Sequence, residues 1–485
     1  MKLLHTVALA ALASGASPLL AQGPTVAAPS GPVQGTLDGS IRTFKGIPYA
    51  VPPVGGMRWR PPAPMQPWKT VRAAADFGPA CVQPQSKTPS VYSPAEPLPV
   101  SEDCLTLNIW APANAKKAPV FFWIHGGALT SGSSREAMYD GKRLAEQGVI
   151  VVSINYRLGV LGWLAHPALS AESPQKVSGN YGLLDQMAAL AWVKHNIAAF
   201  GGDPANVTIA GESAGGLSVL FLMESPLARG TFAKAIAQSA YMVTMPELKK
   251  AAYGAPSAEA VGQMLAGGVQ APDLAALRGM DAQTITDSAG KLGFFPFGIV
   301  DGLVLPEQMV AAFDRGKQAP VPILAGFNQG EIRSLRMLAP KAPDSAADYE
   351  KAIRERYGAF ADEFLNLYPA ADYQESILAT TRDALYGWTA ERLARRQTAM
   401  GQPAYLYLFD HGTPAMDAAG LHAFHASELP YVFGTFDGTP PRWPKVPESD
   451  RPLSDTMIGY WTNFAKSGVT GKDWPAYGDK RNYLH

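Results

Sequence analysis

The stretch that most constrains this chain is Val207-Thr-Ile-Ala-Gly-Glu-Ser-Ala-Gly-Gly-Leu-Ser-Val-Leu-Phe-Leu222. A short β-branched run is followed by a sharp turn at Gly211–Gly215 and then by an Ala/Leu segment with helical character. A G-x-S-x-G turn between strand and helix is a nucleophile elbow, in which the serine is held in an unfavourable backbone conformation. Glycines at 211 and 215 let strand and helix approach closely, so the Ser213 hydroxyl stands above the positive end of the following helix. In a chain with 47 glycines the five-residue pattern alone means little. The strand before it and the helix after it are what give it weight, and it occurs once.

The segments around the elbow have the rhythm of a mostly parallel sheet. Apolar runs at Val120–Ile124, Val149–Ile154, Val207–Ala210, Ala235–Gln238, Val321–Gly326 and Tyr405–Phe409 read as buried strands. Leu184–Ala199 reads as a helix with a broad apolar face. Alternation of this kind predicts a central sheet with helices on both faces. Ahead of it, the Gly- and Pro-rich stretch at about 33–68, with short runs such as Ser40–Gly46, reads as a set of antiparallel strands and turns, and Leu105–Trp110 alternates as a half-buried strand. Ala-rich helical stretches at about 245–321 and 343–396 interrupt the rhythm and are expected as insertions forming a cap over the elbow. The 485 residues are thus read as one large α/β domain, from residue 22 onward.

The first 21 residues, Met1-Lys2 and then an apolar run ending in small residues near Ala16 and Ala21, predict a secretory signal peptide. No other segment is long and apolar enough to span a bilayer. Lys+Arg and Asp+Glu are both 41, which leaves no cationic excess to favour nucleic acid or an acidic membrane surface. The two cysteines, Cys81 and Cys104, are expected to pair in an exported chain, where a bridge of this loop length stabilises by roughly 3 kcal/mol. No zinc, dinucleotide or P-loop motif accompanies them, so neither metal nor organic cofactor is expected.

A serine nucleophile needs a base, an acid to orient it and an oxyanion hole. In the α/β-hydrolase chain order, acid and base follow the serine. Of eight histidines, His411, His422, His425 and His485 lie beyond Ser213; the terminal His485 is the weakest candidate, and spacing does not choose between His422 and His425. Glu331 has the best acid context, in a polar loop after the Ile323–Phe327 strand, with Asp301 and Asp410 as rivals. His125-Gly126-Gly127 directly after a buried strand predicts oxyanion donors at Gly126 and Gly127, with the Ala214 N–H as their partner.

Several blocks together resemble the type-B carboxylesterases, relatives of the cholinesterases. They are Ser101-Glu-Asp-Cys-Leu-Thr-Leu-Asn-Ile-Trp110, Phe122-Trp-Ile-His-Gly-Gly127, Asn155-Tyr-Arg-Leu-Gly159, Gly179-Asn-Tyr-Gly-Leu-Leu-Asp-Gln186, Phe200-Gly-Gly-Asp-Pro204 and the elbow itself. The resemblance spans about Gly35 to Trp474 and implies an α/β-hydrolase fold. It selects Glu331, in Asn328-Gln-Gly-Glu331, where Ile332 replaces the family's usual glycine. It selects His425 over His422, because His425-Ala-Ser-Glu428 carries the family's glutamate three residues on. It also implies the Cys81–Cys104 disulfide, a buried Arg157–Asp185 ion pair and a site-tuning role for Glu212. Phe294, Phe295 and Phe297 are candidates for the acyl-side wall. Tyr92 is the sole aromatic residue between the cysteines, and no tryptophan is present there to serve a cationic choline group. The expected activity is serine carboxylesterase action on small esters. The alternatives are a non-catalytic adhesion-type relative and a lipase acting on aggregated lipid.

Overall fold

The computed structural model describes residues 23–85, 90–94 and 96–485; the expected signal peptide lies outside them. Nine strands form the main sheet: β1 (Thr36–Asp38), β2 (Ile41–Pro48), β3 (Thr106–Pro112), β4 (Ala118–Ile124), β5 (Ile150–Ile154), β6 (Gly202–Glu212), β7 (Lys234–Gln238), β8 (Ile323–Asn328) and β9 (Ala404–Phe409). Their order across the sheet is β9-β8-β7-β6-β4-β5-β3-β2-β1. The six from β4 to β9 pair in parallel, and β1, β2 and β3 add an antiparallel edge. This is the architecture that the resemblance implied.

Side-chain alternation along the central strands feeds two cores, one on each face. Val120, Phe122, Ile124, Val207 and Ile209 point to one side, where α1 (Tyr181–Asn196) and α2 (Ala214–Glu224) cover them with Leu190, Val193, Leu217 and Leu220. Phe121, Trp123, Val151 and Ala210 point to the other, against residues 429–433 and the long helix Arg451–Ser467. A strand buried on both faces is apolar nearly throughout, which is why β4 reads as an unbroken hydrophobic run and β5 is interrupted only by the buried Ser153. The helix α2 is apolar all round because sheet and neighbouring helices enclose it.

The first interrupting stretch contains α3 (Ala258–Gly268), α4 (Leu274–Gly279) and α5 (Ala282–Lys291). Leu265, Leu277 and Ile285 tie it to Val160, Leu161 and Leu164 of the body. The second stretch divides. Helices α6 (Ala346–Tyr357), α7 (Ala361–Leu367) and α8 (Tyr373–Arg382) form the insertion, whereas α9 (Trp388–Ala399) buries Leu393 and Ala394 in the sheet core beside β8 and β9. Between α8 and α9, residues Asp383–Gly387 form one π-helical turn. Cys81 and Cys104 are disulfide-bonded, closing a loop of sequence separation 23, and Arg157 pairs with Asp185 at 2.7 Å in the interior.

Candidate active site

Ser213 sits between β6 and α2 with φ 57° and ψ −121°, outside the conformations a side chain ordinarily permits. Three contacts hold it there. Its N–H donates to the Gln238 carbonyl at the end of β7 (3.0 Å). A Cβ at Gly211 would lie 2.4 Å from the Gly215 carbonyl carbon, and one at Gly215 would lie 2.1 Å from the Ile124 carbonyl oxygen. No larger residue fits either position, so the motif's glycines are a packing requirement. The glycine run after β4 meets the elbow directly: a Cβ at Gly126 would come within 3.2 Å of Ser213 Cβ. Gly127 follows in a left-handed conformation at φ 102°. Ala214 is the first residue of α2, where a helix N–H has no partner within its own helix. The glycine run after β4 and the start of α2 thus both adjoin the Ser213 turn.

The imidazole of His425 lies beside this turn. Its Nδ1 hydrogen-bonds Glu331 Oε2, and its Nε2 faces Glu212 Oε1 at 3.2 Å. Among the described residues no hydrogen bond joins it to the Ser213 hydroxyl, which is partly open to solvent. Glu331 is fully buried in a short turn after β8, and its other oxygen accepts the Asn328 N–H at 2.9 Å. Ile332, where the family has glycine, packs against Leu378 and Tyr386, so the acid loop is pinned to the second insertion by an apolar side chain. The loop bearing His425 is pinned in turn: Gly330 N–H donates to the Ala423 carbonyl (2.7 Å) and Asn328 Nδ2 to the Phe424 carbonyl (2.9 Å).

Burial acts against a charge on His425, but the carboxylates of Glu212 and Glu331 outweigh it and raise the imidazole to about 9. Burial raises the Glu212 carboxyl well above its usual range, an effect opposed by His425 and reinforced by Glu428. Glu428 is itself raised by burial, with Asn328 Nδ2 (2.6 Å) and Gln238 Nε2 (2.9 Å) donating to it. His125 is pushed down to about 4 by burial and remains neutral, its Nδ1–H donating to the Gly126 carbonyl at 2.8 Å.

The rival residues are engaged elsewhere. Asp301 accepts the N–H groups of Leu303, Val304 and Leu305 as a turn cap. His422 lies between Asp410 and Asp417 near the surface, His485 also pairs with Asp410, and His411 pairs with Asp450. Of the three phenylalanines, Phe294 packs into the first insertion's own core, while Phe295 and Phe297 are exposed and contact each other at 5.2 Å. Sequence reasoning assigned nothing to Gln238, Asn328, Ser334 or Tyr386. Each reads locally as a strand end, a loop or a helix residue, and only assembly of distant segments brings them together. Glu428 was visible as the family's glutamate, and Tyr92 as a lone aromatic, without a role.

Comparison with known proteins decides the lineage. The Carboxylesterase family's sequence model matches residues 22–485. The chain belongs to this family. It is 38% identical to a fumonisin B1 esterase of Sphingopyxis macrogoltabida, over 92% of this chain and 83% of that one. It is 37% identical to the para-nitrobenzyl esterase of Bacillus subtilis (strain 168), over 92% and 91% of the two chains. A solved PNB esterase structure superposes with a TM-score of 0.81 at 34% identity, covering 95% of each chain. The protein is a carboxylic ester hydrolase acting on small-molecule esters, built on the α/β-hydrolase fold. Among the described residues of this carboxylesterase, no helix is long and apolar enough to cross a membrane.

Proposed function

We propose that this carboxylesterase works by two-step acyl transfer through Ser213, with His425 as general base and Glu331 orienting it. The observation that carries the reading is the His425–Glu331 hydrogen bond beside a serine held at φ 57°. Catalytic hydrogen bonds are commonly long before substrate binds, and the one between Nε2 and the hydroxyl is expected to close in the substrate complex. His425 Nε2 takes the Ser213 proton as Oγ attacks the ester carbonyl carbon. The carbonyl oxygen gains the negative charge and is received by the N–H groups of Gly126, Gly127 and Ala214. Collapse expels the alcohol, which leaves with the proton from His425, and water repeats the sequence to release the acid and free Ser213. Glu212 tunes the imidazole from the opposite side.

The mature enzyme is proposed to be exported. An N-terminal signal pattern, a disulfide and the lack of a membrane-crossing helix among the described residues support that reading. The test is pre-steady-state hydrolysis of a p-nitrophenyl ester. Wild-type enzyme is expected to show a burst of one p-nitrophenol per chain, and Ser213→Ala to show neither burst nor turnover at an unchanged melting temperature. Turnover by Ser213→Ala removes the serine from the mechanism. Para-nitrobenzyl esters and fumonisin B1, after which two relatives are named, belong in the substrate panel.

A further inference from the structure

The loop that carries His425 is irregular and strained. His422 and Ala426, one on each side of the base, both have positive φ, 51° and 69°. A segment in that state keeps its shape only where its surroundings hold it. Three consecutive carbonyls are held from outside. Those of Ala423 and Phe424 accept from Gly330 and Asn328 of the acid loop. The third, on His425 itself, accepts from the Tyr92 hydroxyl at 3.1 Å. Tyr92 comes from another part of the chain, the loop closed by Cys81 and Cys104.

Its hydroxyl also meets Ser334 Oγ at 2.6 Å, three residues beyond Glu331. Because the single phenolic proton goes to the His425 carbonyl, Ser334 must be the donor in that pair, giving a chain from Ser334 through Tyr92 to His425. The ring adds a second constraint. It stands edge-on to the imidazole (centroids 6.4 Å) and to Trp443 (6.2 Å), and Trp443 packs on Phe424 at 4.8 Å. On a further side lies Tyr386, from the π-helical turn, with its ring 5.5 Å from the imidazole. Burial holds the Tyr92 phenol well above its usual range, which favours the protonated form that donates.

We propose that Tyr92 is a positioning residue for the base: it ties the His425 backbone to the acid loop, so the disulfide-closed loop takes part in setting the imidazole's aim. This rests on the Ser213–His425–Glu331 reading above. Tyr92 touches no reacting atom, so it acts on the rate of proton transfer and not on substrate binding. A misplacement approaching 1 Å costs up to about a hundredfold in rate, and loss of one of several anchors costs less.

Tyr92→Phe, which keeps the ring and removes the hydroxyl, and Ser334→Ala, which removes only the donor to it, are compared with wild type on p-nitrophenyl acetate. Tyr92→Phe is expected to lower kcat about tenfold with KM within about twofold and to retain a full burst of one product per chain at a slower rate. Ser334→Ala is expected to lower kcat in the same sense by a few-fold. The low-field proton resonance of the His425–Glu331 hydrogen bond, assigned by its absence in His425→Ala, should shift or broaden in Tyr92→Phe. Wild-type kcat and an unmoved resonance in both variants overturn the proposal. So does a kcat loss matched by an equal loss of burst amplitude, which marks a misfolded fraction. If Tyr92→Phe does not fold, Ser334→Ala decides alone by the same readouts. Failure of the underlying triad reading shows separately, as a burst surviving in Ser213→Ala.

Discussion

The two halves of the site are built in opposite ways. The nucleophile half is local: Ser213, Glu212 and Ala214 are consecutive, and the glycine contacts that set their geometry join one strand–turn–helix unit to the end of the neighbouring strand β4. The base half is assembled from loops far apart in sequence, with Glu331 and His425 separated by 94 residues and Tyr92 by 333. Gln238 joins the halves, its carbonyl holding the Ser213 N–H while its side chain holds Glu428. A locally built turn depends only on its own strand and helix and on the ends of the two strands that abut it. An assembled loop depends on every segment that touches it, so damage there is graded and depends on which anchor is lost.

The largest expected effect tests the base half at its centre. His425→Ala should lower kcat/KM by about 10⁴-fold or more, as loss of a base acting as a unit with its serine does, whereas His422→Ala should stay within about twofold. Steady-state kinetics on one ester check both. The reverse order would move the base to the histidine held by Asp410 and Asp417, and the comparison would have to be redrawn around it.

A smaller effect measures how strongly the nucleophile half acts on the base. Only neutral imidazole accepts the serine proton, so a pKa raised to about 9 places the acid limb of the kcat/KM profile on the alkaline side of neutrality. Glu212→Gln removes a carboxylate that raises it, so the limb should move to lower pH by about one unit, and the ratio of rates at pH 9 and pH 7 should shrink. A limb that stays in place, or moves to higher pH, would mean that Glu212 does not act on His425 electrostatically.

The smallest effect concerns stability at the far end of α2. Glu224 is buried with neither carboxyl oxygen hydrogen-bonded among the described residues, and burial, with some help from Asp301, raises it to about 8. A carboxyl raised in the folded state favours folding most below its ordinary value of 4.5, and that contribution is lost as pH rises to about 8. Glu224→Gln should therefore melt a few degrees higher than wild type near pH 8, with the difference shrinking toward pH 5. A difference independent of pH would mean that the gain comes from packing. Unchanged kcat in this variant would show that the elbow tolerates a change at the far end of its own helix.

Legibility followed the same division. The elbow, the glycine run at 126–127 and the strands β4 to β9 could be read from short windows, because a buried strand and a tight turn impose their demands on adjacent residues. The base could not be chosen that way. His422 and His425 are three residues apart in the same loop, and their spacing from the preceding strand left both open until the family pattern was applied. The second insertion was drawn through Arg396, yet Trp388–Ala399 covers β8 and β9, since an amphipathic helix looks the same over a sheet as in a cap. Ile332 shows in the sequence only as a departure from the family's glycine; its side chain packs that loop against Tyr386.

What the sequence by itself determined was the reaction class and a single candidate nucleophile, since turn geometry and strand burial are encoded over a few consecutive residues. Which donors and aromatic rings hold the loop around the imidazole was decided only by the tertiary structure. Those contacts are made between segments hundreds of residues apart, and no local pattern of apolar and polar residues specifies which hydroxyl, such as that of Tyr92, reaches which carbonyl.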